Sequence, residues 1–101
     1  MNTDNETKTA PDIDALHEKH AAAYAASSAA FEAWQKAVRE QGSWAVQIAN
    51  DVLAGETPTD SAIETYREAC RLVHDADVED DRVRAIARAV SAELDAARAA
   101  R

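Results

Sequence analysis

Apolar side chains recur every three or four residues along most of this chain, and that spacing predicts helices. The first such stripe consists of Ile13, Leu16, His20, Ala23, Tyr24, Ser27, Phe31, Trp34 and Val38. Steps of three and four keep side chains on one face of a helix. The first helix is predicted to begin near Thr9, because Thr9-Ala10-Pro11-Asp12 is a capping pattern with proline in the first turn.

Two glycines punctuate the middle of the chain. Gly42 is predicted to end the first helix and Ser43 to cap a second one over about 44–54, which Gly55 closes. One alternative stays open, because the apolar positions continue in phase through Gly42. The first two helices are then a single long helix.

The second half of the chain has one clear turn, at residues 55–60. There Thr57 to Asp60 repeats the capping pattern, again with a proline inside it. A third helix follows, and the acidic run 75–81 is the predicted break, with Asp77 as the N-cap of a fourth helix. The predicted fold is all-α: a small antiparallel bundle of three to four helices, or a long helical hairpin.

Residues 1–9 are predicted to form a flexible N-terminal tail and residues 10–101 a single helical domain. The predicted core consists of Leu16, Phe31, Trp34, Ile48, Val52, Ile63, Tyr66, Val73, Ile86, Val90 and Leu94.

Composition makes this core thin. Alanine supplies 25 of the 101 residues, whereas Leu, Ile, Val and Phe together supply 16. Small side chains let helices approach closely but bury little apolar area. We therefore expect a homodimer or an obligate partner contact, through the alanine- and serine-rich stretch Ala22–Ala30.

Charge bears on the class of partner. The formal net charge is −8, and residues 55–81 hold nine acidic and two basic residues, a net −7. Nucleic-acid binding relies on basic surface, so direct binding is not expected. A basic protein partner suits this charge. The single cysteine excludes an internal disulfide, and no stretch is apolar enough to cross a membrane, so the predicted location is cytoplasmic.

Few residues have the spacing of a chemical site. His17 and His20 are the best candidate metal ligands, but they miss the i, i+4 spacing of the common zinc motif. The run Asp75, Asp77 and Glu79 imitates a calcium loop, yet the required glycine and the final glutamate are missing. Cys70 lies within a predicted helix, where a structural role is expected. We predict no enzyme activity, no cofactor and no resident metal.

The leading hypothesis is a non-catalytic, acidic helical protein that binds another protein as an adaptor, regulator or assembly factor. The predicted partner-binding residues are Trp44, Asp75, Asp77, Glu79, Asp80 and Asp81. Tryptophan is enriched at binding hot spots, and the five clustered carboxylates repel one another beyond what one helix cap requires. Two alternatives are an acidic phage-type inhibitor that mimics nucleic acid, and a metal-binding helical protein that uses His17 and His20.

Overall fold

The computed structural model describes residues 12–100, and nearly all of them lie in two long helices. Helix α1 spans Ile13–Leu53 (41 residues) and helix α2 spans Asp60–Ala99 (40 residues). No strand occurs in this part of the chain. The predicted all-α class is confirmed and the long helical hairpin fits, whereas the predicted bundle of three to four helices is wrong.

Helix α1 runs without interruption through Gly42 and Ser43. The predicted helix end at Gly42 is therefore wrong, and the alternative of one long helix holds. Gly42 does not adopt a positive φ, so it does not act as a helix terminator. Glycine inside a helix costs only about 1 kcal/mol relative to alanine, which continued packing on both sides of it outweighs.

Helix α2 likewise continues through the acidic run 75–81, so the predicted break and the N-cap at Asp77 are wrong. No glycine or proline lies between Asp60 and Ala99. The inward-facing residues Val73, Ala76, Asp80 and Val83 keep the steps of three and four across the run. A break would disturb that spacing, and like-charge repulsion on a solvated helix is too weak to cause one.

Both helix starts are capped by side chains. The Ala15 amide donates to Asp12 Oδ1 at 3.0 Å, which caps α1. The Ala62 amide donates to Thr59 Oγ1 at 3.1 Å, so Thr59 caps α2. The cap predicted at Thr57 is therefore two residues early, and Thr9 lies outside the described residues.

Gly55 ends α1, as predicted. Its φ of +78° is left-handed, and two backbone hydrogen bonds surround it: Glu56 N to Asp51 O at 2.8 Å and Gly55 N to Val52 O at 3.0 Å. This pair of bonds is the Schellman motif, which satisfies carbonyls at a helix end. It stops α1 and leaves a short connection to α2.

The chain divides into two compact units. Among the described residues, the first comprises 12–28 together with 82–100. Within it, Lys19 Nζ lies 3.3 Å from Glu93 Oε2. Its buried apolar residues are Ala23, Val83, Val90, Leu94 and Ala97. The predicted tail, residues 1–9, lies outside the described residues.

The second unit is Ala29–Asp81. Here α1 and α2 meet at Gln41, whose Nε2 lies 3.3 Å from the Cys70 sulfur. Ala69 is its buried apolar residue, and most other inward side chains are half-buried.

The predicted core is confirmed for Val90 and Leu94, which are buried. Six other predicted core residues are half-buried: Leu16, Trp34, Ile48, Ile63, Tyr66 and Val73. Phe31, Val52 and Ile86 are exposed, and their assignment to the core is wrong. Phe31 and Val52 lie one residue after an inward position and Ile86 lies one residue before one, and one residue turns a helix by about 100°.

The turn at Gly55 yields a stability prediction. Replacing Gly55 with Ala places a Cβ on left-handed backbone, and we expect it to lower the free energy of unfolding by roughly 1 kcal/mol. Gly55→Asn should cost less, because asparagine tolerates this conformation better. Chemical denaturation monitored by circular dichroism measures both changes. An alanine variant as stable as the wild type would contradict the capping role.

Candidate functional site

Helix α1 carries two uncharged rows of side chains along the second unit. The first row, the inner stripe, faces α2 and contains Ala30, Trp34, Ala37, Gln41 and Ile48, all half-buried. The second row, the outer stripe, is exposed and contains Phe31, Gln35, Val38, Gly42, Ala49 and Val52. Its members follow the inner positions by one residue, so it lies about 100° further round the helix.

The outer stripe exposes large apolar side chains. Val52 is 58% exposed, Phe31 40% and Val38 37%. The Phe31 ring stacks on Trp34 at a centroid distance of 5.9 Å, which holds it in place at the surface. Exposed apolar surface that is contiguous marks interaction sites in soluble proteins. The stripe is therefore the best candidate binding surface of the second unit.

Small residues separate the large ones. Gly42 and Ala49 lie between Val38 and Val52, so part of this face of α1 is nearly bare backbone. A Cβ built on Gly42 meets no atom within 4 Å. Large side chains thus alternate with shallow depressions along the stripe. Another helix can pack against such a surface by fitting its ridges into the depressions.

Charged residues border the stripe on the side away from α2. Glu32 and Arg39 are exposed and seven residues apart, two helical turns along the same edge of α1. Sequence reasoning missed this surface because it merged Phe31 and Val52 with the inner stripe. The absence of charge from Phe31 to Val52 at these positions is the signal that could have revealed it.

The predicted contact residue Trp44 lies elsewhere on α1. It continues the inner stripe along its side remote from the outer stripe, and it is 37% exposed. The Trp44 side chain is therefore partly accessible to solvent, and its role in partner binding stays a prediction.

The predicted acidic patch is divided by the helix. Asp75, Asp77, Glu79 and Asp81 are exposed, whereas Asp80 is only 4% exposed and points inward, so its place in a surface patch needs correction. Asp75 and Glu79 share one face of α2, and Asp77 and Asp81 share another, because residues four apart align on a helix. Five neighbours in sequence thus become two separate pairs and one buried side chain.

Trp44 and the carboxylates do not form one surface either. The Gln41–Cys70 contact aligns the two helices in this unit. Trp44 lies three residues from Gln41 toward the turn, and Asp75 lies five residues from Cys70 in the opposite direction. At 1.5 Å per residue, the offset along the helices is about 12 Å.

Arg71 links two acidic side chains on α2. Its guanidinium hydrogen-bonds Glu68, and its Nη1 lies 2.7 Å from Asp75 Oδ2. The hydrogen bond from Arg71 lowers the pKa of the Glu68 carboxyl, and Glu68 in turn raises the pKa of Arg71. Asp75 is therefore partly neutralised by its own helix.

Cys70 faces α1 and neighbouring polar groups. Its sulfur lies within hydrogen-bond reach of Gln41, and a hydrogen bond with Cys70 raises the pKa of the Tyr66 phenol. The thiol is half-buried. These contacts give Cys70 a place in the packing between the helices.

The two candidate metal ligands have different surroundings. His17 Nε2 lies 3.3 Å from Arg98 Nη2. Because a guanidinium only donates hydrogen bonds, His17 Nε2 accepts this one. His20 is half-buried and faces α2. Within residues 12–100, no group of three or more His, Cys, Asp or Glu side chains is arranged to hold a metal ion.

The predicted dimer surface, Ala22–Ala30, is partly used within the chain. Ala23 is buried and Ala30 is half-buried. A glutamate at Ala30 would therefore disturb the packing of α1 on α2.

No protein family, curated protein or solved structure matches this chain. Neither α1 nor α2 contains a stretch apolar enough to cross a lipid bilayer.

The Arg71 network yields a pH prediction. The pKa of Glu68 is lower in the folded chain than its usual value of 4.5, so the network stabilises the fold above that pH and loses its effect as Glu68 protonates. Arg71→Gln should slightly lower the melting temperature at neutral pH and have no effect in acid. Arg88→Gln, at another exposed position on α2, is the control. Equal destabilisation by Arg71→Gln at both pH values would contradict the assignment.

Proposed function

We propose that this chain is a non-catalytic helical protein that binds another protein, as an adaptor, regulator or assembly factor. The observation that supports this proposal is the outer stripe of α1. It is uncharged, exposed and spaced like the inner stripe, which already packs on a helix. A helix with two such rows is built to have two neighbours.

The energetics favour a partner for the stripe. Burying a valine or phenylalanine side chain stabilises an assembly by about 1.5–3 kcal/mol each. Phe31, Val38 and Val52 are 40%, 37% and 58% exposed, so part of that energy remains available to a partner in the isolated chain. The matching partner surface is an apolar helix face, because the stripe offers helical knobs and depressions in place of an open pocket.

A control variant that adds the same charge elsewhere is needed to test this proposal. Val52→Glu introduces a charge into the stripe while leaving the inner face intact, and it should reduce capture of the specific partner by at least tenfold. Val78→Glu makes the same change at an exposed valine on the outer side of α2, and it should leave capture unchanged. Chemical crosslinking followed by mass spectrometry measures both. Equal capture by the two variants would contradict the role of the stripe.

A second candidate function is an acidic inhibitor of a nucleic-acid-binding protein. It is supported by the exposed pair Asp77 and Asp81 within the stretch of net charge −7. Such carboxylates would face a basic partner, and long-range attraction between opposite charges speeds association at low salt.

This second function predicts a salt effect. Asp77→Asn/Asp81→Asn should weaken partner binding and reduce its dependence on salt, since two charges leave the interface. Glu18→Gln/Glu40→Gln removes the same charge from exposed positions on α1 and should not. Titration calorimetry with the captured partner at low and high salt distinguishes them. Unchanged affinity at low salt would falsify the acidic docking surface.

A further inference from the structure

We infer that the outer-stripe segment from Phe31 to Gly42 binds the same segment of a second copy of this chain, with the two α1 helices antiparallel and centred between Lys36 and Ala37. This inference rests on the proposed function in one respect, that the stripe is a protein-binding surface. It goes further by naming the occupant and the register.

The first argument is complementarity of size. In this register Phe31 lies opposite Gly42 of the second copy, and Gln35 lies opposite Val38 of the second copy. The largest side chain of the stripe thus meets its one residue without a side chain. The two-fold symmetry repeats each pairing, as a dimer interface requires.

The second argument is the presence of Gly42 itself. Glycine weakens a helix interior, and here it has neither a positive φ nor a neighbour within 4 Å of the position its Cβ would occupy. Nothing within the described chain therefore requires a glycine. Close approach of a bulky group from outside does, and Phe31 of the second copy supplies it.

The third argument is that opposite charges also lie close together in this register. Glu32 and Arg39 of the second copy lie on the same edge of the interface, about 3 Å apart along the helices, and the two-fold symmetry repeats the pair. These residues border the stripe on the side away from α2, where flanking charges select helix partners and orientation. The register that places Phe31 opposite Gly42 therefore also brings opposite charges together at the edge of the interface.

The fourth argument concerns what else could cover the stripe. Residues 1–11, MNTDNETKTAP, carry no large apolar side chain apart from Met1 and cannot replace an apolar helix face. A second copy adds its α1 about 100° round the helix from α2, which leaves the α1–α2 packing in place. Within Ala29–Asp81, where Ala69 is the buried apolar residue, such an addition would supply the apolar burial that the unit lacks.

The test is the oligomeric state in solution. Sedimentation velocity should show a dimer for the wild type at high micromolar concentration. Val38→Glu should raise the dimer dissociation constant by at least tenfold, whereas the matched Val78→Glu should not. A wild-type chain that stays monomeric overturns the inference, and so does a Val38→Glu variant as dimeric as Val78→Glu.

Three further variants test the register, and they distinguish a loss of dimerisation from a failure of the monomer to fold. Glu32→Arg should weaken the dimer by opposing two like charges, and Glu32→Arg/Arg39→Glu should restore it. Gly42→Leu should weaken the dimer by blocking Phe31, while helix content by circular dichroism is maintained or rises. Failure of the double variant to recover, or a Gly42→Leu dimer of wild-type strength, overturns the proposed register.

The two proposals fail in different ways. If the wild type is monomeric while Val52→Glu still abolishes capture of another protein, the dimer is wrong and the binding function stands. If neither dimer nor stripe-dependent capture is found, both are wrong.

Discussion

The small size of the inward side chains is the constraint on which the rest of this structure depends. Alanine occupies many of the positions where the helices face each other, including Ala23, Ala30 and Ala69. Small side chains allow close packing but remove little apolar surface from water. Stability must then come from length, so both helices exceed the usual 10–14 residues severalfold, and apolar side chains remain on the outside.

Helical content and the end of α1 at Gly55 were predictable because both are local. Propensity and a left-handed glycine act over a few residues. The two predicted interruptions are wrong because each prediction considered only a local signal. That signal was the weak helix former Gly42 in one case and a run of acidic residues in the other. Neither outweighs a spacing of three and four residues that continues in phase on both sides. The cap at Thr59 in place of Thr57 shows the same limit at the scale of one turn.

The candidate site was less predictable, because the face of a helix that a side chain occupies depends on its angle around the helix axis. Residues that are neighbours in the sequence therefore need not share a surface. Neighbours such as Glu79, Asp80 and Asp81 look like one patch, yet successive residues point about 100° apart, and Asp80 turns inward. Conversely, Phe31 and Val52 are far apart in sequence and share a row. Side-chain exposure separated the two rows of α1, which apolar spacing alone had combined.

The position of the Schellman turn at Gly55 also bears on the entropy of closing contacts between the helices. The Gln41–Cys70 contact closes 29 residues of chain, whereas Lys19–Glu93 closes 74. The difference in loop-closure entropy is about 0.8 kcal/mol, which favours the contact nearer the turn. The entropy of loop closure thus favours the contact nearer the turn, whereas the larger buried apolar side chains, Val83, Val90 and Leu94, lie in the other unit.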